Sequence, residues 1–236
     1  MSDLCLVAWN CRSGSLPQRL AELAPHAPDL VFLQECRPDV SLPLSGQFIN
    51  HRVNASKGIA LGAPRNIYHV SALEPRPESG RAVVAAAVVG PTSFSAFGLW
   101  SQGPHYVDDV MRTLDAYDDI LRAGPAVVMG DFNSGTNLGG KRSPAMAHTR
   151  MLAAFADLRL VSAYHAFHGV EHGHETHSTY RHRFNSSEPW HIDFCFVPVS
   201  WSASIRRVEV LDGDRWRKTS DHNPLKVDLC FDRLGE

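Results

Sequence analysis

Six short runs of large apolar and β-branched residues punctuate the chain: CLVAWN (5–10), LVFLQE (30–35), AVVAAAVV (82–89), AVVMGD (126–131), HIDFCFV (191–197) and PLKVDLCF (224–231). Each is bounded by turn formers, which predicts a β-strand. In the fifth run Ile192, Phe194 and Phe196 alternate with Asp193, Cys195 and Val197; in the sixth Leu225, Val227, Leu229 and Phe231 alternate with Lys226, Asp228 and Cys230. A period of two is the mark of a pleated strand. Helical spacing lies between the strands. Leu16, Leu20 and Leu23 share a stripe behind Ser15 as a capping residue, and that helix should stop near Pro25. Val107, Val110, Leu114, Tyr117 and Leu121 keep the helical period until Gly124-Pro125 ends it, and Ser143-Pro144 opens a third helix that buries Leu152 and Phe155. Helices interleaved with this many strands predict an α/β (α+β) layered domain, with strands enough for two packed sheets.

Residues 164–190 follow neither period and read as a long loop. Histidines recur in it, with spacings His165-x-x-His168, His172-x-His174 and His174-x-x-His177 that invite a zinc site. No cysteine is near and no periodicity sets these side chains on one face, which argues against structural zinc and for a solvated loop. A third reading has Tyr180, Arg181, Arg183 and Trp190 overhanging a functional site, where stacking and charge select a substrate.

At 236 residues, 44% hydrophobic and 20% charged, the chain is read as one globular domain spanning 1–236. Its longest strictly apolar run, Ala82 to Val89, is far short of the roughly 18 residues of a membrane span. The N-terminus has no basic-then-apolar leader pattern, so a cytoplasmic location is the default expectation. Five cysteines, odd in number and without a C-x-x-C pair, point to reduced and mostly buried thiols. A net charge of −2 gives no general attraction for phosphate, so such a partner must be held by a local patch or a metal. Lys57, Arg81 and the pair Lys141 and Arg142 read as surface charges, while Gly58 and Gly130 read as sites of close backbone packing beside strands.

The chemistry lies at the strand ends. VAWN ends in Asn10, VFLQE in Glu35, and VVMGDFN in Asp131 and Asn133; SDHNP places Asp221 and His222 just before the last strand, and HIDF sets Asp193 among apolar neighbours. One carboxylate after a strand is ordinarily a turn residue. Five such ends in one chain suit another purpose, because a hard cation takes oxygen ligands and phosphate ester hydrolysis needs an activated water and donors for developing charge. An acidic partner such as Asp193 would fix the tautomer of His222 and favour its charged form.

WN, LQE, GDFN, HIDF and SDHNP, in that order and across almost the whole chain, resemble the endonuclease/exonuclease/phosphatase superfamily of metal-dependent phosphohydrolases. The resemblance implies a four-layer sandwich, two mixed β-sheets packed face to face with helices outside and an active site at one end. It implies that Glu35 is the principal metal ligand, that Asn10 supports the metal and phosphate, and that Asp221 lies close enough to ligate a metal. It further implies that Asp131 activates or positions the attacking water, that Asn133 binds phosphate, and that Asp193 orients His222 to stabilise the transition state or share in proton transfer. One position departs from the family pattern: Trp100, at the end of FSAFGLW, stands where a His or Tyr is usual. An indole has one N–H donor and no charge, so Trp100 is read either as a substrate-site residue beside Tyr180 or as core, with His105 a substitute cation.

The expected function is a divalent-metal-dependent phosphoric ester hydrolase, a phosphodiesterase or nuclease using Mg²⁺ or Mn²⁺ for in-line attack by an activated water. A phosphate ester, DNA or RNA among the candidates, is the expected partner, and the chain is read as a monomer. The competing readings are a non-catalytic phosphate- or nucleotide-binding module on the same scaffold and a hydrolase of small molecules or lipid head groups.

Overall fold

The protein is described from a computed structural model over residues 2–37, 47–103, 105–138, 145–185 and 189–231. Its strands in chain order are β1 (Ser2–Asn10), β2 (Leu30–Cys36), β3 (Gln47–Arg52), β4 (Gly58–Ala63), β5 (His69–Ala72), β6 (Val83–Val89), β7 (Phe94–Trp100), β8 (Ala126–Asp131), β9 (Leu160–Ser162), β10 (Tyr180–Arg181), β11 (Pro189–Trp190), β12 (Asp193–Pro198), β13 (Ile205–Val210) and β14 (Leu225–Phe231). The helices are α1 (Leu16–Leu23), α2 (Tyr106–Ala116), α3 (Asp118–Ala123), α4 (Ala145–Asp157), α5 (Ala163–His168) and α6 (Asp214–Arg217).

Two six-stranded mixed sheets form, in the orders β13-β14-β1-β2-β4-β3 and β5-β6-β7-β8-β12-β9. Each contains one parallel pair, β1 with β2 and β7 with β8, among antiparallel neighbours. Strand alternation decides the layering. In β1, Leu4, Leu6 and Ala8 enter the core between the sheets, which also takes Val127 and Met129 of β8. Val7 and Trp9 turn outward onto Leu16 and Leu23 of α1, and Val128 and Phe196 turn outward onto Leu114 of α2 and Phe155 of α4. Both faces of both sheets are thereby covered in a four-layer sandwich, as expected.

Several local expectations need correcting. Ser15 holds the cap position of α1 but makes no side-chain cap bond. The single helical pattern of 107–121 is broken at Tyr117, whose φ of −113° and ψ of 19° separate α2 from α3. Ser143 and Pro144 lie outside the described residues; α4 follows them and buries Phe155. Residues 164–190 are not a featureless solvated loop, since α5, β10 and β11 fall within them and Tyr164, His165 and Arg181 are buried. All five cysteines are free thiols, three of them buried.

Gly130 meets its close-packing expectation. Its φ is +148°, and a Cβ there would lie 2.0 Å from the Leu99 carbonyl oxygen and 3.0 Å from Gln34 Nε2. Only glycine adopts that backbone comfortably, and the obstacle is backbone rather than a flexible side chain. Gly130→Ala should therefore lower unfolding stability by about 2–4 kcal/mol, read as a shift of the denaturation midpoint at unchanged slope. An unshifted midpoint would refute this account of the turn into Asp131.

Candidate active site

The ends of β1, β2, β8 and β12 and the turn before β14 meet at one edge of the sandwich. Asp131 and Asp193 are register partners on neighbouring antiparallel strands, so their side chains leave the sheet on the same face. Both are buried, at 0% and 1% exposure. Like charges directly opposite across a ladder repel, and His222 supplies the remedy. Its Nδ1 donates to Asp193 Oδ2 at 2.9 Å, and its Nε2 stands 3.9 Å from Asp131 Oδ2. That second distance exceeds a hydrogen bond, so Nε2–H remains a donor available to a ligand.

The two asparagines converge on the same carboxylate. Asn10 Nδ2 donates to Asp131 Oδ2 at 2.9 Å, Asn133 Nδ2 donates to it at 3.2 Å, and the Asn133 backbone N–H donates to Oδ1 at 2.9 Å. Asp131 is thereby oriented from both sides. Glu35 ends β2 with φ at +56° and Asn133 follows β8 with φ at +48°, left-handed values that turn both chains sharply at strand ends. The Glu35 carboxylate is gripped by the Lys57 ammonium, which lies 5.7 Å from the centre of the Trp100 ring. Trp100 is thus core and site at once: it is 7% exposed, packs in the inter-sheet core, and pairs in register with Asp131.

Tyr180 closes the opposite side, its ring 4.5 Å from that of His222 and stacked on Trp190 at 5.9 Å. Burial pushes its hydroxyl up to about 12, and the charges of Asp221, Asp131 and Glu35 push the same way. Asp221 is half-exposed with Arg12 Nε 4.0 Å away. His105 is exposed at the start of α2, and Arg81 and Arg183 are also exposed. Lys141 and Arg142 lie outside the described residues. Arg181 departs from its expected place over the site: it is buried, and its guanidinium donates to Asn223 Oδ1 at 2.7 Å and to the Ser220 carbonyl at 3.2 Å.

Sequence reasoning missed the residues that hold this set still. Ser220 Oγ donates to the Asn10 carbonyl at 2.7 Å and accepts from the His222 N–H at 3.0 Å. Thr179 Oγ1 accepts from the N–H groups of Ile192 and Asp193 at 3.0 and 3.1 Å. Lys57, a surface charge by sequence, instead pairs with Glu35. Ser220 and Asn223 stand inside SDHNP, a signal that could have flagged them, whereas Thr179 and Lys57 have none.

The residues match a model of the Endonuclease/Exonuclease/phosphatase family from 7 to 222, a span that runs from before Asn10 to His222. The chain belongs to that family. Its members, as the family's name says, cleave phosphate esters. Among solved structures, an AP endonuclease from Archaeoglobus fulgidus superposes with a TM-score of 0.74 at 16% identity, over 95% of this chain and 98% of that one. A 3′ phosphatase from Neisseria bound to a product DNA hairpin gives 0.70 at 18% identity, over 97% and 100%. An AP endonuclease from Leishmania major gives 0.70 at 12% identity, over 98% and 88%. No curated protein sequence matches this one. At these identities the likeness is one of fold.

Electrostatics set the protonation of the centre. Burial alone would depress His222, but the Asp193 and Asp131 carboxylates outweigh it and raise the imidazole to about 9. Asp131 is raised well above the usual carboxylate range, by burial first and by Asp193 next, against the pull of His222. The folded ring being more basic than a free one, its protonation stabilises the fold fully below 6.5, and that contribution is lost as pH rises through about 9. In the metal-free protein, the His222 ring resonances should titrate well above neutrality. Asp193→Asn should lower that midpoint by about one unit or more. A midpoint near 6.5 in the unsubstituted protein would overturn this assignment.

Proposed function

We propose that the chain is a divalent-metal-dependent phosphodiesterase, acting as a monomer on a phosphate ester with Mg²⁺ or Mn²⁺. The observation that carries this is the His222 imidazole between Asp193 at 2.9 Å and Asp131 at 3.9 Å, beside asparagine amides that fix Asp131. Glu35, with Asn10 and Asp221, would hold the cation: their side chains offer oxygen donors, which a hard ion prefers, and the Lys57 ammonium on Glu35 marks that carboxylate as a place where positive charge settles. When bound, the ion neutralises phosphate charge and acidifies water. Asp131 accepts the proton of the attacking water as a P–O bond forms and the ester P–O bond opposite it breaks. Its raised basicity suits a general base working near neutral pH. His222 donates its Nε2–H to a phosphoryl oxygen as charge builds there, with Asp193 fixing the ring.

The stacked pair Tyr180 and Trp190 beside His222 offers a platform for a flat group attached to the phosphate, which favours nucleic-acid or nucleotide esters over lipid head groups. With a net charge of −2 the footprint covers a few phosphates, not a long track. Free thiols fit a reducing compartment such as the cytoplasm. The module reading draws on Lys57, which satisfies Glu35 internally in place of a metal.

Hydrolysis of a bis-aryl phosphodiester separates the two readings. Turnover should require added Mg²⁺ or Mn²⁺, and Glu35→Ala, Asp131→Asn and His222→Ala should each lower kcat/KM by about 10²–10⁴-fold, measured at a temperature where circular dichroism shows each variant folded. No turnover with either metal would leave the binding module. Across abasic DNA, plasmid DNA, RNA and small diesters, Trp190→Ala should raise KM by about tenfold for substrates carrying a base and leave the small diesters unchanged. A uniform effect would remove the stacking role.

A further inference from the structure

Beneath the acid centre, on the other side of β12, four imidazoles and a carboxylate crowd around Phe194. The rings of His148, His165, His172 and His191 lie 5.6, 6.1, 5.8 and 5.1 Å from that of Phe194. His165 and His172 stack at 3.4 Å, and a ligand atom from each, with one from Glu175, falls within 4.8 Å of the others. His148 stands 5.8 Å from His172 and His191 stands 6.1 Å from His165, ring centre to ring centre. These residues come from α4, α5, the segment after it and the approach to β12, a convergence that no sequence spacing displays.

The hydrogen bonds leave the group short of partners. His148 is fully buried and His191 is 7% exposed, yet the Nε2 atom of each makes no hydrogen bond with the protein, and neither does Nδ1 of His172. His191 Nδ1 donates to the His177 carbonyl at 2.8 Å, which fixes the tautomer that carries a lone pair on Nε2. His148 Nδ1 is likewise engaged by Ser134 Oγ at 3.0 Å, and His165 Nδ1 by Ser162 Oγ at 2.7 Å. His148 and His191 are each anchored through Nδ1 and leave Nε2 unmet, while His165 is anchored through Nδ1 and turns Nε2 to Glu175. A buried imidazole with an unmet nitrogen loses its hydration without return, so a residue set that repeats this arrangement calls for an occupant.

We propose that His165, His172 and Glu175 bind a first-row transition-metal ion of the zinc class, with the unfilled Nε2 of His148 or of His191 drawn in as the fourth ligand. This site is separate from the phosphoesterase centre and does not depend on the function assigned there. Imidazole and carboxylate donors suit Zn²⁺ and its neighbours, while Mg²⁺ prefers oxygen alone. One proton lies between His165 Nε2 and Glu175 Oε1, 3.0 Å apart, and the ion replaces it. A cavity of about 160 Å³, lined among others by Thr136 and His177, adjoins the group at Glu175 and His191. The bound ion would tie the segment after α5 to α5 and to whichever of His148 and His191 supplies the fourth ligand.

The test titrates Zn²⁺ and Co²⁺ into the full chain after treatment with chelator. One equivalent should bind with an affinity that withstands a competing chromophoric chelator, raise Tm by several degrees, and give Co²⁺ the intense visible bands of a low-coordinate site. His172→Gln and Glu175→Gln should each weaken binding at least tenfold and abolish the Tm shift. The exposed pair His51→Gln with His174→Gln should leave both unchanged. Equal uptake by all of these variants, or only the weak bands of hydrated Co²⁺ with the unsubstituted chain, would overturn the proposal. The Co²⁺ spectrum of the unsubstituted chain keeps the result decisive even where a variant fails to fold.

Discussion

Two carboxylates set directly opposite one another at the dry end of a sheet are the constraint around which this molecule is arranged. Asp131 and Asp193 are register partners and both are buried, so the pair cannot stand without a cation or a shared proton. His222 provides it, and His222 belongs to the turn before β14, in the other sheet. The acid pair of one sheet therefore pulls the rim of the second over it, and Asn10 of β1 follows with its amide on Asp131. Removing one member of such a buried set typically costs about 3–5 kcal/mol, comparable to losing a large core side chain. Most of the inter-sheet contact is apolar and could slide; this end is polar, directional and fixed.

Fixing it requires backbone that would not be chosen on local grounds. Glu35 sits at φ +56°, which a side chain of its kind rarely adopts, and the Asn133 value of +48° is easier because asparagine tolerates that region. The Ser13 N–H donates to the Glu35 carbonyl at 2.7 Å and so holds the turn. Strain of about 1–3 kcal/mol per residue persists only where the surroundings over-determine it. Here it aims two oxygen-bearing groups into the same space from strands of different sheets. A longer loop would reach the same space more cheaply and hold it less well.

Strands showed in the sequence in two ways, as unbroken apolar runs and, in β14, as alternation. β2, β8 and β12 are apolar on both sides, so a bare run of Val, Leu and Phe announces them. β3, β5 and β13 escaped because they are short or half-exposed strands with mixed patterns, and β4, GIALGA, because glycine and alanine carry little strand signal although every residue is buried. The site followed a similar division. Asn10, Glu35, Asp131, Asn133, Asp193 and His222 were legible as reactive types at strand ends. Lys57, Thr179 and Ser220 were not, since a lysine, a threonine or a serine acquires its role from a partner distant in the chain.

The histidine segment failed to read for a further reason. Metal-ligand spacing is visible when one helix or hairpin supplies the donors, but here separate segments supply one or two donors each, and the nearest sequence pairs, such as His172 and His174, do not act together. Their common support is a strand already engaged elsewhere. Asp193 turns to the acid centre, while its neighbour Phe194, on the opposite face of β12, receives the imidazole rings. Ser134, which holds His148, directly follows Asn133, and His191 is two residues before Asp193. Whatever rigidity the histidine cluster gains is therefore delivered to the backbone on both sides of the carboxylate pair. The HIDF segment serves two polar centres at once by the elementary property that consecutive strand residues face opposite ways.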